Sequence, residues 1–131
     1  MRLLVMLPLL LSAASAFPQE KPKANCVEIT AQDFMTNVTN DPSIKIIDVR
    51  MKAEFKTGYI EKAVNIPLSK RLPRKVKSFD KNATYYLYCA GGTRSCRAAA
   101  QYTAAGFQHV YSLKGGINGW KRGGLAISGN R

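Results

Sequence analysis

Apolar residues gather in short runs along the chain, and most of these runs carry the pattern of strands. Residues 44–49 and 84–89 are rich in β-branched and aromatic side chains and nearly continuous, which is typical of strands buried on both faces of a sheet. Shorter apolar runs at 26–29, 63–67 and 109–113 predict three further strands, the first of them at an edge. The pattern therefore predicts five strands.

Helical signals separate these runs. Thr30, with Asp33 three residues later, resembles a capping box and predicts a helix that ends before Pro42. The alanine-rich stretch at 96–105 predicts a second helix, stopped by Gly106. Shorter helical turns are expected around 53–55, within 68–79 and from 115 to 120. Alternating strands and helices predict an α/β fold with a central, mostly parallel five-stranded sheet flanked by helices.

The N-terminal residues do not continue this alternation. Arg2 is followed by an apolar run and then by small residues that end in Ala14-x-Ala16, the pattern of a signal peptide cleaved after Ala16. The run is shorter than the roughly 20 residues that span a bilayer, so we expect export to the periplasm or the medium without a stable membrane anchor. The expected organisation is a signal peptide, a flexible polar lead-in, one domain and a short tail, at 1–16, 17–25, 26–125 and 126–131.

The chain is strongly basic, with a net charge of +12, and the tightest cluster of lysine and arginine lies at 70–77. Such a surface is compatible with nucleic acid, but an exported protein rarely meets nucleic acid, and we expect no such partner. The remaining interpretations are a soluble basic surface and an electric field that attracts small anions.

The three cysteines, Cys26, Cys89 and Cys96, leave at least one thiol outside any internal disulfide. Two pairings remain open. In the first, Cys96 bonds to Cys26 as a structural link and Cys89 stays free; the odd number of cysteines favours this pairing. In the second, Cys96 lies close enough to Cys89 to form a redox pair.

Cys89 ends the strongest predicted strand, and a loop with two glycines follows it. Gly91 and Gly92 allow the backbone to curl so that successive N–H groups face one point, and the next helix adds its own unpaired N–H groups. Such an arrangement binds anions and stabilises a thiolate. Arg94 is a candidate for holding an anionic substrate. We therefore expect Cys89 to be a nucleophile rather than an inert core cysteine.

Three segments together resemble the rhodanese family. The first contains Ile-Asp-Val-Arg at 47–50, Glu54-Phe55, Gly58-Tyr59-Ile60 and Asn-Ile-Pro at 65–67; the second runs from 88 to 95; the third is Leu-x-Gly-Gly-Ile-x-Gly-Trp at 113–120. In this order and spacing they cover most of the chain between Val27 and Gly123, so the resemblance implies a single rhodanese-like domain.

The resemblance implies transfer of sulfane sulfur through a persulfide on Cys89, from thiosulfate or a similar anionic donor to cyanide or a thiol, without a metal or organic cofactor. The residues that would bind the donor are Ala90, Gly91, Gly92, Thr93, Arg94 and Ser95. Asp48 and Arg50 are expected to be structural, with Glu54 as a partner for Arg50. The family commonly has Gly-His-Ile where this chain has Tyr59 in the middle, so no acid–base role is expected there.

Three other functions are distinguished from sulfur transfer by the cysteines and the loop after Cys89. Related phosphatases and arsenate reductases have five residues between cysteine and arginine, whereas four separate Cys89 from Arg94, a shorter loop that suits sulfur better than phosphate. A thiol-redox protein would use Cys89 with Cys96, but no Cys-x-x-Cys is present. A non-catalytic binding module of the same fold is disfavoured by the presence of Cys89.

Overall fold

The computed structural model describes Leu4 and residues 26–129. The sheet has the strand order β1-β5-β4-β2-β3, and every pairing between these strands is parallel. The strands are β1 (Val27–Ile29), β2 (Lys45–Asp48), β3 (Val64–Asn65), β4 (Thr84–Tyr88) and β5 (His109–Leu113). The helices are α1 (Ala31–Asn40), α2 (Lys52–Lys56), α3 (Leu72–Lys75), α4 (Thr93–Ala104) and α5 (Gly116–Arg122). The predicted α/β fold with a five-stranded parallel sheet is confirmed.

The predicted signal peptide and lead-in lie outside the described residues, apart from Leu4, as do the last two residues of the tail. No helix in the described part of the chain is long and apolar enough to cross a membrane.

Strand β4 lies at the centre of the sheet and contributes to a hydrophobic core on each face. Successive side chains of a strand point to opposite faces. Tyr85 and Leu87 therefore join the cluster beneath α3 and α4, whereas Tyr86 and Tyr88 join the cluster beneath α1 and α5. This two-sided burial explains why the 84–89 run carries no polar alternation.

Helix α1 begins as its sequence predicts. The Thr30 hydroxyl accepts a hydrogen bond from the backbone N–H of Asp33 at 3.2 Å, which satisfies one of the unpaired N–H groups of the first turn. Phe34 is fully buried and packs its ring at 5.0 Å from Tyr86 and 5.2 Å from Trp120. The helix is therefore held by one aromatic anchor on its inner face.

Helix α4 begins at Thr93, three residues earlier than the alanine-rich pattern predicts. Gly92 has a φ of +107° and caps the helix, and its carbonyl accepts the N–H of Cys96 at 3.2 Å. The turn that only glycine adopts easily is complete at this position, so the chain enters the helix at the next residue. Thr93, Arg94 and Ser95 thus lie in the first turn of α4 and not in the loop, which shortens to 90–92.

The folded domain continues past the predicted boundary at 125. The indole N–H of Trp120 donates to the carbonyl of Ala126 at 3.0 Å, because a buried indole needs an acceptor. Ile127 packs on the core, and Ser128 exchanges two backbone hydrogen bonds with Tyr59 at 2.7 and 3.0 Å. Residues 126–129 therefore belong to the domain rather than to a separate tail.

Candidate functional site

Cys89 lies directly after β4, at the carboxyl end of the central strand, and α4 begins four residues later. Its thiol is free and only 1% exposed. In parallel α/β sheets this edge is where ligands bind, because the strand ends and the helix N-termini meet there. The central strand therefore places the single free cysteine of the described residues at the expected edge of the sheet.

The sulfur of Cys89 accepts a hydrogen bond from the N–H of Gly92 at 3.1 Å and lies 3.4 Å from the Ser95 hydroxyl oxygen. Burial raises the pKa of the thiol, but hydrogen bonds from the Ser95 side chain and from the N–H groups of Ser95, Gly92 and Gly91 lower it further than burial raises it. The net pKa is below that of an ordinary cysteine, so the thiolate, the nucleophilic form, is favoured.

A second serine, Ser112, forms a hydrogen bond with Ser95. The hydroxyl oxygens of Ser95 and Ser112 lie 2.7 Å apart, and both side chains are buried. The Ser95 hydroxyl oxygen also lies 3.1 Å from the carbonyl oxygen of Gly92, so this carbonyl and the Cys89 sulfur compete for its single hydrogen. Ser112 was missed by the sequence analysis, since it lies in β5 and meets the loop only because β5 pairs with β4. Its position just before the Leu-x-Gly-Gly segment was the one available signal.

The N-terminus of α5 fixes the other side of the loop. The N–H of Ile117 donates to the carbonyl of Cys89 at 2.9 Å, and the N–H of Asn118 donates to the carbonyl of Ala90 at 3.0 Å. Gly116 makes this approach possible, because a Cβ at its position would clash with the carbonyl of Ala90 and lie 2.6 Å from that of Cys89. The segment at 113–120 therefore holds the carbonyl of the nucleophile and that of the next residue.

Arg94 is held by Glu54 rather than left free for a substrate. Its two terminal nitrogens donate to the two carboxylate oxygens of Glu54 at 2.7 and 2.9 Å. Arg94 lowers the pKa of the Glu54 carboxyl to about 2, and the N–H of Met51 contributes to the shift. The expected pairing of Glu54 with Arg50 is wrong, because α2 turns the carboxylate towards α4.

Arg50 instead bonds to Asp48, two residues before it. Its Nη2 donates to a carboxylate oxygen of Asp48 at 2.7 Å and to the carbonyl of Gly58 at 2.6 Å. The N–H of Arg50 donates to the same carboxylate at 2.8 Å, and both side chains are buried. This buried, hydrogen-bonded ion pair holds the chain in place after β2, and neither residue is a hydrogen-bond partner of the Cys89 sulfur.

The other loop residues differ in accessibility. Ala90 is half-buried, whereas Gly91 and Thr93 are exposed, and nothing lies within 4 Å of the position a Gly91 Cβ would take. The Tyr59 ring, at the departure from the family pattern, stacks on Phe55 at 4.3 Å. Tyr59 therefore packs α2 against the C-terminal segment.

Cys96 is bonded to Cys26 in a disulfide. The link joins the residue before β1 to the first turn of α4. Cys89 thus lacks the neighbouring thiol that a Cys89–Cys96 redox pair requires. In the described part of the chain, no group of three or more His, Cys, Asp or Glu residues is arranged to hold a metal ion.

The fold and the site together define a class: a parallel α/β domain with a cysteine cradled by N–H groups where a central strand meets a helix. Comparison with protein families shows which family of this class the chain belongs to. The rhodanese-like domain family matches residues 30–123, and the chain belongs to it.

Individual relatives agree with this assignment. A sulfurtransferase from Allochromatium vinosum is 30% identical over 100 residues, which cover 76% of this chain and 92% of that protein. A tRNA uridine(34) hydroxylase from a Wolbachia species is 36% identical over 89 residues, which cover 65% of this chain and 33% of that protein, so the chain spans about a third of its length.

Solved structures show the same fold. The rhodanese-like domain of an Anabaena protein superimposes with a TM-score of 0.71 at 30% identity and covers 78% of each chain. A rhodanese-related protein from Thermoplasma volcanium gives a TM-score of 0.70 at 28% identity, covering 79% of this chain and 98% of that chain. The family supports a sulfurtransferase-type enzyme.

Proposed function

We propose that this protein is a sulfurtransferase that carries sulfane sulfur as a persulfide on Cys89, with thiosulfate or a similar anionic compound as donor and cyanide or a thiol as acceptor. The observation that carries the proposal is the free Cys89 thiol, whose sulfur accepts the Gly92 N–H at 3.1 Å and lies 3.4 Å from the Ser95 hydroxyl. A buried cysteine with a lowered pKa is suited to nucleophilic attack.

In the first half-reaction the Cys89 thiolate attacks the outer sulfur of thiosulfate. The new S–S bond forms as the S–S bond of thiosulfate breaks, and sulfite leaves with the bonding electron pair. The outer sulfur of the resulting persulfide is an anion, and the N–H groups of the loop and of the first turn of α4 stabilise it as an oxyanion hole stabilises an oxyanion.

In the second half-reaction cyanide or a thiolate attacks the outer sulfur. The S–S bond to Cys89 breaks, and the Cys89 thiolate is regenerated with the electron pair. No electrons are gained or lost overall. The first product leaves before the acceptor reacts, so the expected kinetics are of the ping-pong type.

Thiocyanate formation from thiosulfate and cyanide tests the proposal, with Cys89→Ser as the variant and the mass of the thiosulfate-treated protein as a second measurement. We expect turnover and the added mass of one sulfur atom in the wild type, and neither in the variant. Turnover that survives in Cys89→Ser, or a wild type that takes up no sulfur, would contradict the proposal.

We also propose that the protein is exported to the periplasm or the medium after cleavage behind Ala16. The signal-like pattern at 1–16 and the Cys26–Cys96 disulfide support this, because disulfides persist in oxidising compartments. Mass spectrometry of protein isolated from its native cells is expected to give Phe17 as the N-terminus and, after denaturation without reductant, one reactive thiol. An uncleaved N-terminus or three reactive thiols would argue against export.

A further inference from the structure

A continuous basic surface extends from the candidate site onto α3. We call it the basic face and define it as Lys70, Arg71, Arg74, Lys75 and Arg97, all of which are exposed. Within the part of the chain that the structure describes, none of the five forms a salt bridge. Leu72 in α3 and Val76, which caps the helix, are buried in the core and leave the basic side chains on the outside.

The basic side chains converge on two adjoining hollows. Lys70 and Arg97 line the first, together with Arg94, while Arg71, Arg74 and Lys75 line the second. Lys70 and Arg71 are consecutive, so the hollows share a border. Glu54 pairs with Arg94, so among the described residues that line the two hollows the basic side chains without a salt bridge are those of the basic face.

The first hollow borders the helix that follows the nucleophile, because Arg94, in the first turn of α4, lines it. Val49 and Leu68 line it, and both pack in the cluster that contains Cys89. Met51, at its rim, is 59% exposed. A ligand that fits this surface combines several negative charges with some apolar contact area, which describes an acidic protein segment better than a small inorganic anion.

Nucleic acid is the other polyanion that a basic surface can attract. Proteins that bind single strands add aromatic rings on which bases stack. Among the described residues that line the two hollows, none is aromatic, whereas Val49, Met51 and Leu68 supply aliphatic surface and a thioether. The composition of the hollows favours a protein.

Building on the proposed sulfurtransferase activity, we propose that the basic face docks an acidic segment of a thiol-bearing protein, which accepts the sulfur of the Cys89 persulfide. The acceptor thiolate attacks the outer sulfur, the S–S bond to Cys89 breaks, and Cys89 leaves as the thiolate while the acceptor becomes the persulfide. Opposite charges steer the acceptor to the site and raise the rate of productive encounter.

The test uses the full-length mature protein, loaded with sulfur by thiosulfate, and three synthetic peptides with one cysteine each. The peptides are acidic (rich in Glu and Asp), neutral (rich in Ser and Gln) or basic (rich in Lys). The measurement is the second-order rate of sulfur transfer to each peptide at low and at high salt. We expect the acidic peptide to react about tenfold faster than the neutral one at low salt and to lose this advantage at high salt.

Two triple variants of equal net charge separate the basic face from the charge of the whole molecule. The first is Lys70→Glu with Arg74→Glu and Arg97→Glu. The matched control is Lys45→Glu with Lys121→Glu and Arg122→Glu, which reverses three exposed charges on β2 and α5. We expect the first to abolish the preference for the acidic peptide and the control to retain most of it. Transfer to 2-mercaptoethanol, a small thiol without a peptide to dock, is expected to be equal in both variants and reports an intact site.

Each contrary result has a distinct meaning. Equal rates for the three peptides, or an equal loss in both triple variants, would overturn the docking proposal while leaving the sulfurtransferase activity in place. A wild type that forms no persulfide would overturn the proposed function itself. Stronger inhibition by a single-stranded RNA than by polyglutamate of equal charge would assign the basic face to nucleic acid and also overturn the proposal.

Discussion

The reactivity proposed for Cys89 depends on two opposing effects on its thiolate. Burial disfavours the charged form, while four hydrogen-bond contributions from Ser95, Gly92 and Gly91 favour it, and their sum lowers the pKa. Ser95 is the only side chain among these contributors, so it is the one that can be removed by substitution without changing the backbone. Ser112 forms a hydrogen bond with Ser95 and none with the sulfur, so its substitution is a control for an indirect effect on the thiolate.

We predict that Ser95→Ala raises the pKa of Cys89 and shifts the pH–rate profile of thiosulfate turnover to higher pH. A hydrogen bond to a charged group contributes about 1.5 kcal/mol or more, so the thiolate fraction and the rate fall about tenfold at pH values below the pKa of both proteins. The deficit disappears at a pH above the pKa of both proteins, because both are then fully ionised. Ser112→Ala is expected to shift the profile less. A Ser95→Ala profile that coincides with the wild type would contradict the prediction.

The Glu54–Arg94 pair limits how strongly the site attracts an anionic donor. We predict that Glu54→Gln lowers the KM for thiosulfate about threefold, a small factor because the pair is partly exposed to solvent. The pKa of Glu54 is about 2, so the carboxylate stays charged in neutral and mildly acidic solution, and the difference is expected at every pH above about 4.

Steady-state kinetics of Glu54→Gln and of Glu61→Gln check this prediction. Glu61 is exposed, and its substitution removes the same negative charge from another part of the surface. A KM that is unchanged or higher in Glu54→Gln, or an equal fall in both variants, would show that Glu54 does not restrain Arg94.

At the scale of the elements, the site depends on α5 as much as on α4. The N-cap and the first turn of α4 supply N–H donors to the sulfur, from Gly92 and Ser95. The first turn of α5 supplies N–H donors to the carbonyls of Cys89 and of Ala90. Gly116 is the point of closest approach between α5 and the loop, with a φ of +59°. The consequence is that a side chain at this position must displace either the loop or the helix.

We predict that Gly116→Ala destabilises the fold more than Gly124→Ala does. Both glycines have a positive φ, +59° and +75°, which costs a non-glycine residue about 1–2 kcal/mol. A Cβ at Gly116 also clashes with the Ala90 carbonyl and adds about 1–3 kcal/mol of overpacking, whereas nothing lies within 4 Å at Gly124. Urea unfolding of both variants measures the difference, and equal losses would refute the clash.

The strands and most helices could be predicted because their signals are local. The apolar run of β4 and the Thr30 cap of α1 each lie within a few residues of sequence. The start of α4 was misplaced because a glycine φ decides it, and glycine tolerates many values. Ser112 and the partner of Glu54 were missed since both depend on contacts between distant segments, which no periodicity records.

The whole molecule carries a net charge of +12, and Arg2 is the only basic residue within the predicted signal peptide. Such a charge creates a positive potential around the entire domain, in addition to any local contact. Two charge effects therefore act on a substrate: the basic face for a macromolecular acceptor and the overall field for a small anion. The second is testable without a partner, because thiosulfate is a small dianion.

We predict that kcat/KM for thiosulfate falls about tenfold as salt rises from about 20 to about 300 mM, since the screening length shortens from roughly 20 Å to roughly 6 Å and the field no longer reaches the approaching dianion. Alkylation of Cys89 by iodoacetamide, a neutral reagent, is expected to stay within about twofold over the same range, because an uncharged molecule is not steered. Thiocyanate assays and timed alkylation at each salt concentration give the two rates. If both rates fall together, salt acts on the thiol or on the fold of the loop, and long-range electrostatic attraction does not explain the effect. If only the thiosulfate rate falls, the excess of lysine and arginine over acidic residues raises the rate at which this molecule meets anionic donors.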